Sequence, residues 1–205
     1  MALSTVGETQ ASPREADVRD ALRHATASLH AEIDASLPLA RPSPTLADYR
    51  EHLSLLRDWT DALRRLPGDA ARLDAQAAAL HADLASCDDL LGVAPRLDAP
   101  PATGAAPTPA PIADPGAFGW GVAYVIEGSQ LGGQVLYRRL AEPLAPHPLA
   151  YLQGAGRDTG ARWKEFLSAL RQQLVAPSQV QAACDGAVAA FALLLQLHRR
   201  QDATT

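Results

Sequence analysis

Residues 119–140 read GWGVAYVIEGSQLGGQVLYRRL, an apolar segment with helical periodicity and an unusual number of glycines. Gly121, Gly128 and Gly132 are spaced at i, i+7 and i+11, which places them on one narrow strip of an α-helix, and Gly133 adjoins that strip. Each interior glycine costs a helix about 1 kcal/mol relative to alanine. Helix propensity therefore does not explain these glycines, and the backbone must approach something closely along the strip.

Two kinds of neighbour account equally well for such a strip. One is a second helix packed backbone to backbone, and the other is a planar ligand, with Gly132 and Gly133 allowing a kink that opens room above the helix. Tyr124 lies near the edge of the strip, where it either hydrogen-bonds the rim of a ligand or is simply a half-buried aromatic residue. Ser129, next to Gly128, either holds a water molecule or faces solvent.

In the rest of the chain, apolar residues also recur at spacings of three and four residues, which is typical of α-helices. The pattern predicts helices over residues 15–37, 46–66, 69–91, 117–140, 160–175 and 178–200, with a short piece at 149–153. Thr45 and Asp48 have the spacing of an N-terminal cap for the second of these helices. No segment shows sustained two-residue alternation, so no strand is predicted and the fold class is all-α.

The length of 205 residues suits a single domain. We expect this helical domain to span residues 15–203, after a polar and disordered lead at residues 1–14. Residues 94–116 are rich in proline and lack periodicity, which is typical of a surface connection between helices.

Composition and charge exclude several classes of protein. The chain has 18 Lys and Arg against 23 Asp and Glu, a net charge of −5, whereas nucleic-acid-binding domains carry a basic face. Cys87 and Cys184 are too few for a disulfide framework or a metal cluster, and we expect buried, inert thiols. No stretch approaches the ~20 apolar residues of a membrane span, and the first residues lack the order of a secretory signal. These features predict a soluble, cytoplasmic protein that binds neither nucleic acid nor membrane.

A second segment with functional signals centres on His30. A histidine beside an apolar stripe is more often a satisfied core residue than a ligand. However, Asp34 at i+4 is placed to accept the proton of one ring nitrogen, which would leave the other nitrogen as a lone pair for a metal. Arg23 lies about 10 Å earlier along the helix. A metal ligand with a cation at that distance suits a flat metal-containing cofactor with peripheral carboxylates, such as haem.

These segments together resemble the haem oxygenase family. LRHATASLHAEID, residues 22–34, is similar to the helix that carries the iron-binding histidine in that family. YVIEGSQLGGQ, residues 124–134, is similar to the glycine-rich distal helix, especially that of bacterial members found beside bacteriophytochromes. LHADLAS, and the stretch from RWKEFLSAL to AAFALLLQL, resemble the intervening and C-terminal helices. The resemblance covers about residues 18–200.

The resemblance implies an all-α, haem-oxygenase-like fold and a role for each site residue. His30 would be the axial ligand of the haem iron, with Asp34 as its hydrogen-bonded partner. Arg23 and Tyr124 would bind the haem propionates. The residues that would line the distal, catalytic side are Gly128, Ser129, Gly132 and Gly133.

Two parts of the implied site are left unassigned. Animal members of the family carry an aspartate where this chain has Ser129, and that carboxylate anchors the water network that delivers protons. Bacterial relatives also lack it, so activity is not excluded, but the proton route has no assigned residue. A basic group of the penultimate helix would help to hold a propionate, and the candidates are Arg162, Lys164 and Arg171.

The implied activity is oxidative cleavage of haem b to biliverdin, Fe(II) and CO, with haem as both substrate and cofactor. O2 and external electrons are needed, and because no flavin or dinucleotide motif is present, a ferredoxin or flavoprotein reductase would supply them. A bacteriophytochrome would be an acceptor of the biliverdin. Two alternatives stay open: a non-catalytic haem-binding or storage protein on the same scaffold, and a haem-free helical interaction protein.

Overall fold

A computed structural model describes residues 13–94, 111–154 and 156–203 of the chain, with side chains from Val18 onward. Within these ranges the regular structure is entirely helical, which confirms the all-α prediction. The α-helices are α1 Pro13–Ser36, α2 Leu46–Leu63, α3 Ala70–Leu91, α4 Pro115–Leu140, α5 Ala150–Gln153, α6 Thr159–Gln173 and α7 Pro177–Asp202. Short 3-10 segments at Pro38–Ala40 and Gly156–Asp158 follow α1 and precede α6.

The ends of the helices differ from the predicted ones by up to three residues, because local capping groups decide them. The cap of α2 is confirmed: the Thr45 hydroxyl accepts from the Asp48 N–H at 3.2 Å, and the Asp48 carboxylate accepts from the Thr45 N–H at 2.7 Å. α4 begins two residues earlier than predicted, since Asp114 accepts from the Ala117 N–H at 2.9 Å and Pro115 suits the first turn.

The predicted connecting segments lie largely outside the described residues. This applies to residues 1–12 of the predicted lead and to residues 95–110 of the proline-rich connection. The described residues overlap the predicted lead at residues 13–14, and there α1 has already begun, at Pro13. The prediction of a non-helical lead up to residue 14 is therefore wrong in its last two residues.

α7 is the central helix of the fold. α1, α2 and α4 pack along it, α3 packs on α2, and α5 and α6 pack on α4. The buried Trp59 of α2 donates from its indole nitrogen to the Ala190 carbonyl of α7 at 2.8 Å, which ties these two helices together. Small buried residues at Ala183, Gly186 and Ala187 let neighbouring helices come close to the α7 backbone.

By length and composition, α7 is the one described helix that is apolar enough to cross a membrane. The expectation that no segment approaches this apolarity is therefore not met for α7. Its packing against three other helices gives the physical reason, because a helix surrounded by protein carries apolar residues on most of its faces.

α4 and α7 pack backbone to backbone at two glycines, one on each helix. A Cβ on Gly121 would overlap the Ala183 carbonyl oxygen and lie 2.8 Å from the Ala187 nitrogen. A Cβ on Gly186 would overlap the Phe118 carbonyl oxygen. The start of the glycine strip on α4 therefore serves helix packing, the first of the two alternatives that the sequence left open.

We predict that Gly121→Ala destabilises the protein by at least about 3 kcal/mol, because the added methyl group meets backbone atoms that cannot turn away. The matched control is Gly132→Ala in the same helix, where, apart from the neighbouring backbone of α4, no atom of the described residues lies within 4 Å of the new Cβ. This control should stabilise by about 0.5–1 kcal/mol, since alanine is the better helix former. Urea unfolding measures both, and equal effects of the two changes would contradict the close crossing.

Two buried histidines, His52 of α2 and His198 of α7, lie near the end of α1. His198 Nε2 lies 3.0 Å from the Ser36 carbonyl and donates to it, while Nδ1 of each histidine has no hydrogen-bond partner among the described residues. Burial lowers the pKa of His52 to about 4, and the nearby His198 acts in the same direction. Both residues belong to the core.

We predict that stability falls as the pH decreases from about 6.5 towards 4. The unfolded chain protonates this imidazole near pH 6.5, whereas folded His52 stays neutral down to about pH 4, so the unfolded state takes up more protons in that interval. His52 should account for a loss of about 2–3 kcal/mol by pH 4.5. Urea titrations should show a smaller loss for His52→Gln and an unchanged loss for His24→Gln, at an exposed position. Equal losses in both variants would argue against this role of His52.

Candidate functional site

α1 and α4 form the two sides of a groove whose floor is α7. Both helices pack along α7, but their described parts are not packed closely against each other. Burial raises the pKa of Tyr124 on α4, and the positive charge of the nearby Arg23 on α1 acts in the opposite direction. Further along, the Arg139 guanidinium of α4 donates to the Leu39 carbonyl just beyond α1. Arg23 therefore lies near Tyr124, and Leu39 lies near Arg139, which indicates that α1 and α4 run in the same direction.

His30 and the exposed Gly132 lie at a similar height along the two helices. His30 lies about midway between the two contacts on α1, and Gly132 lies about midway between them on α4. The His30 ring also contacts Phe191 on the groove floor, with 5.6 Å between the ring centroids. His30, Gly132 and Phe191 therefore belong to the same part of the groove, although His30 and Gly132 are 102 positions apart in the sequence.

His30 is exposed and its two ring nitrogens are in different environments. Its side chain is 60% exposed, so it is not the buried core histidine that such a position usually holds. Nδ1 lies 2.9 Å from Oδ2 of Asp34 one turn later. Because a carboxylate only accepts, Nδ1 carries the proton and Nε2 keeps its lone pair. The predicted pairing of these two residues is present.

The α4 side of the groove is bare backbone at two of the glycines. Apart from the neighbouring backbone of α4, no described atom lies within 4 Å of a Cβ built on Gly132, and the nearest atom to one on Gly128 is Trp163 Cη2 at 3.9 Å. Gly133 differs, because its Cβ would lie 3.4 Å from the Leu152 carbonyl of α5, so it faces α5 and not the groove. α4 remains helical through Gly132 and Gly133, without a break.

The polar residues of α4 beside these glycines are held in place by neighbours. The Ser129 hydroxyl donates to the Ile126 carbonyl of its own helix at 2.7 Å, which leaves its lone pairs available to a water molecule. The half-buried Tyr124 has its ring 5.4 Å from that of Trp163 on α6. Tyr124 therefore stands between the basic residues of α1 and the aromatic surface of α6.

α6 closes one edge of the groove with a row of aromatic rings. Trp163 stacks on Phe166 with 5.7 Å between centroids, and Phe166 contacts Trp120 of α4 at the same distance. The Arg72 guanidinium of α3 lies 5.3 Å from the centre of the Phe166 ring. Trp163 is the member of this row next to Gly128.

Sequence reasoning missed an ion-pair cluster around the buried Glu127 of α4. The Glu127 carboxylate is 8% exposed, forms an ion pair with Arg72, and lies 3.9 Å from the Arg162 guanidinium. Arg72 and Glu127 are 55 residues apart, so no local spacing could have signalled the pair. Of the three candidate propionate partners, Arg162 is turned towards Glu127, Lys164 is exposed and Arg171 is half-buried.

The buried Cys87 has no role as a nucleophile. Burial raises its pKa to about 12, and the charges of Asp83 and Asp88 act in the same direction. His147 places Nε2 3.4 Å from the Cys87 sulfur, but this nitrogen also lies 3.2 Å from the Asp83 carbonyl. Nδ1 of His147 accepts from the Leu149 N–H, so Nε2 carries the proton and cannot act as a base towards the thiol. Cys87 is thus the inert thiol that the sequence predicted.

The donor set suits a metal held in an organic ring. The described residues contain no group of three or more His, Cys, Asp or Glu side chains that could hold a metal ion by themselves. His30 offers a single imidazole nitrogen, which is sufficient only when other ligands come with the metal. The groove also offers bare backbone at Gly132 for a flat ring and, near Arg23 and Tyr124, donors for carboxylates. These features fit haem.

We predict that Asp34→Ala changes the tautomer of His30. In the unchanged protein at mildly alkaline pH, the imidazole should carry its proton on Nδ1, because Asp34 accepts from it. Without that acceptor, a large fraction of the rings should carry the proton on Nε2. Nitrogen-15 shifts of labelled histidine report the tautomer directly, with His30→Ala for assignment. The prediction is wrong if the ratio of tautomers does not change.

Comparison with known proteins gives two matches. A family model described as heme oxygenase matches residues 112–200, which include α4, α5, α6 and most of α7. Over 171 residues the chain is 34% identical to a protein named heme oxygenase from Xanthomonas campestris pv. campestris (strain 8004). This alignment covers 82% of the chain and 88% of that relative.

Proposed function

The chain belongs to the haem oxygenase family, and on that premise we propose that it binds haem between α1 and α4 and cleaves the ring. The products are biliverdin, Fe(II) and CO, and the reaction consumes O2 and external electrons. One observation carries the proposal: the exposed imidazole of His30, with Nε2 free, lies in register with the side-chain-free surface of Gly132. The sequence left a haem-free alternative open, but it offers no reason for an exposed glycine in the middle of a helix.

His30 and Asp34 form the iron-binding side of the proposed site. Nε2 of His30 binds the iron, while the carboxylate of Asp34 accepts the Nδ1 proton and keeps the ring in the required tautomer and orientation. The Phe191 ring on the groove floor limits how far the imidazole can turn. Haem b, the unmodified form, is the proposed ligand because this site needs no covalent attachment, and when bound it supplies the redox chemistry.

α4 forms the opposite side of the proposed site. There the glycines, which lack side chains, determine how closely the ring can approach the helix backbone. Gly128 and Gly132 let the ring lie against helix backbone, which excludes bulk water and leaves space only for small molecules. The Ser129 hydroxyl donates to the Ile126 carbonyl and therefore accepts from a water molecule rather than donating to it. We assign this oxygen as the first protein acceptor of the proton-delivering water chain, in place of the carboxylate of animal relatives.

The carboxylates of a bound haem would be held at the end of the groove where α1 and α4 carry Arg23 and Tyr124. A guanidinium and a phenol hydroxyl both donate to carboxylates, and Arg19 adds a second positive charge near Tyr124. The positive charges at this end would determine the orientation in which haem binds. They would thereby determine which edge of the ring faces α4. Lys164, exposed on α6, is the third proposed donor, since Arg162 is directed to Glu127.

The proposed reaction requires electrons from another protein. The sequence has no dinucleotide or flavin motif, so a ferredoxin or flavoprotein reductase is the proposed donor, docking transiently. These electron carriers are soluble proteins, and the proposed location of the chain is accordingly the cytoplasm. A bilin-binding photoreceptor such as a bacteriophytochrome is the proposed acceptor of biliverdin.

Haem titration followed by reduction tests this function. Addition of haem should produce a Soret band, and His30→Ala should weaken or shift the band because the axial ligand is lost. His24→Ala, at another exposed position of α1, is the matched control and should leave the band unchanged. Ascorbate or a reductase should then remove the Soret band while biliverdin absorption appears.

A second variant tests the α4 side independently. Gly132→Leu fills space that is open in the structure, so the protein should fold normally but bind haem at least about tenfold more weakly. Absence of any Soret band in the unchanged protein would exclude haem binding. A stable band that survives reduction in air, with no biliverdin formed, would instead indicate haem storage.

A further inference from the structure

The buried Glu127 connects three helices directly behind the groove. Its carboxylate is 8% exposed and pairs with Arg72 of α3, while Arg162 of α6 approaches the same Oε1 atom to 3.9 Å. Removing a carboxylate from water is costly, and such a group persists in a fold only when partners stabilise it. The two guanidinium groups provide this stabilisation, so α3 and α6 are both drawn to one point on α4.

The attraction between Arg162 and Glu127 helps to position α6 and therefore Trp163. Arg162 and Trp163 are adjacent on α6, and Glu127 and Gly128 are adjacent on α4. The ion pair between Glu127 and Arg162 therefore lies one residue away, on each helix, from the place where Trp163 Cη2 comes within 3.9 Å of a Cβ built on Gly128. Arg72 supports this arrangement from behind through its contact with Phe166, on which Trp163 stacks.

We propose that Glu127 is a positioning residue that, through Arg162 and Arg72, holds Trp163 at the edge of the groove and thereby sets the width available to the ligand. The inference rests on the proposed function for the identity of the ligand as haem. The position of Trp163 does not depend on the proposed function, because the ring has this position in the absence of a ligand. Glu127 itself touches no ligand in this arrangement, because its carboxylate faces α3 and α6.

Glu127→Gln is a suitable test because it keeps the size of the side chain and removes the charge. Arg72 retains a partner in Asp69, 3.2 Å from its Nε atom, and Arg162 is already 56% exposed, so neither is left as an unpaired buried charge. The matched control is Asp88→Asn, another buried carboxylate that pairs with an arginine of a neighbouring helix, Arg50 of α2, away from the groove.

The first measurement needs no haem. The protein is labelled with 5-fluorotryptophan, and the fluorine resonance of Trp163 is assigned with Trp163→Phe. Glu127→Gln should shift and broaden this resonance, because the ring loses its fixed position, whereas Asp88→Asn should leave it unchanged. An unchanged Trp163 resonance in Glu127→Gln overturns the proposal, whatever the result with haem.

The second measurement is a double-mutant cycle on haem affinity, read from Soret titrations of the full chain. Glu127→Gln should weaken binding about fivefold in the unchanged background and have almost no effect when Trp163 is already alanine. Asp88→Asn should have no such coupling to Trp163. An equal effect of Glu127→Gln in both backgrounds would show that it does not act through Trp163 and would overturn the proposal. If the unchanged protein forms no Soret band, the proposed function fails and the fluorine measurement alone decides the role of Glu127.

Discussion

The backbone contact between α4 and α7 is the constraint on which the rest of the structure depends. Gly121 and Gly186 bring the two helices so close that neither position has room for a methyl group. α7 also carries α1 and α2, so its position relative to α4 determines how far α1 stands from α4. The groove is the space left on α7 between two helices that both pack on it but not closely on each other.

The same strip of glycines serves two purposes because α7 follows α4 over only part of its length. At Gly121 the strip is covered by backbone, whereas at Gly132, eleven residues later, the described residues leave it open. A side chain at the first position would separate two helices, and a side chain at the second would reach into the groove. The helix-packing explanation that the sequence offered is therefore supported at Gly121, and at Gly132 the ligand explanation stays a prediction.

The charged residues near the groove differ from those buried elsewhere in the fold. The chain as a whole has a net charge of −5, yet the end of the groove near Tyr124 has Arg19 and Arg23 beside it. Buried ionisable groups such as Glu127 and His52 lie outside the groove. Glu127 affects the packing of α3 and α6 on α4. His52 affects packing near α7 and the dependence of stability on pH. The exposed His30, with its free Nε2, remains available to a ligand.

Local signals in the sequence were sufficient for the helices and for one side of the site. Apolar periodicity located every described α-helix, the cap at Thr45 was correct, and the i+4 spacing of His30 and Asp34 corresponds to a contact of 2.9 Å. These features depend on residues within about one helical turn of each other, so the sequence contains them directly.

The tertiary structure alone decided the features that join distant parts of the chain. It separated Gly121, which packs on α7, from Gly132, which is open, and it turned Gly133 towards α5. It also paired Arg72 with Glu127 across 55 residues. By itself the sequence determined that the protein is helical and that it belongs with haem oxygenases, and it predicted which turn of α1 offers a ligand. Which glycines pack on a helix and which stay open follows from the path of α7 across α4, a long-range packing geometry that no local spacing encodes.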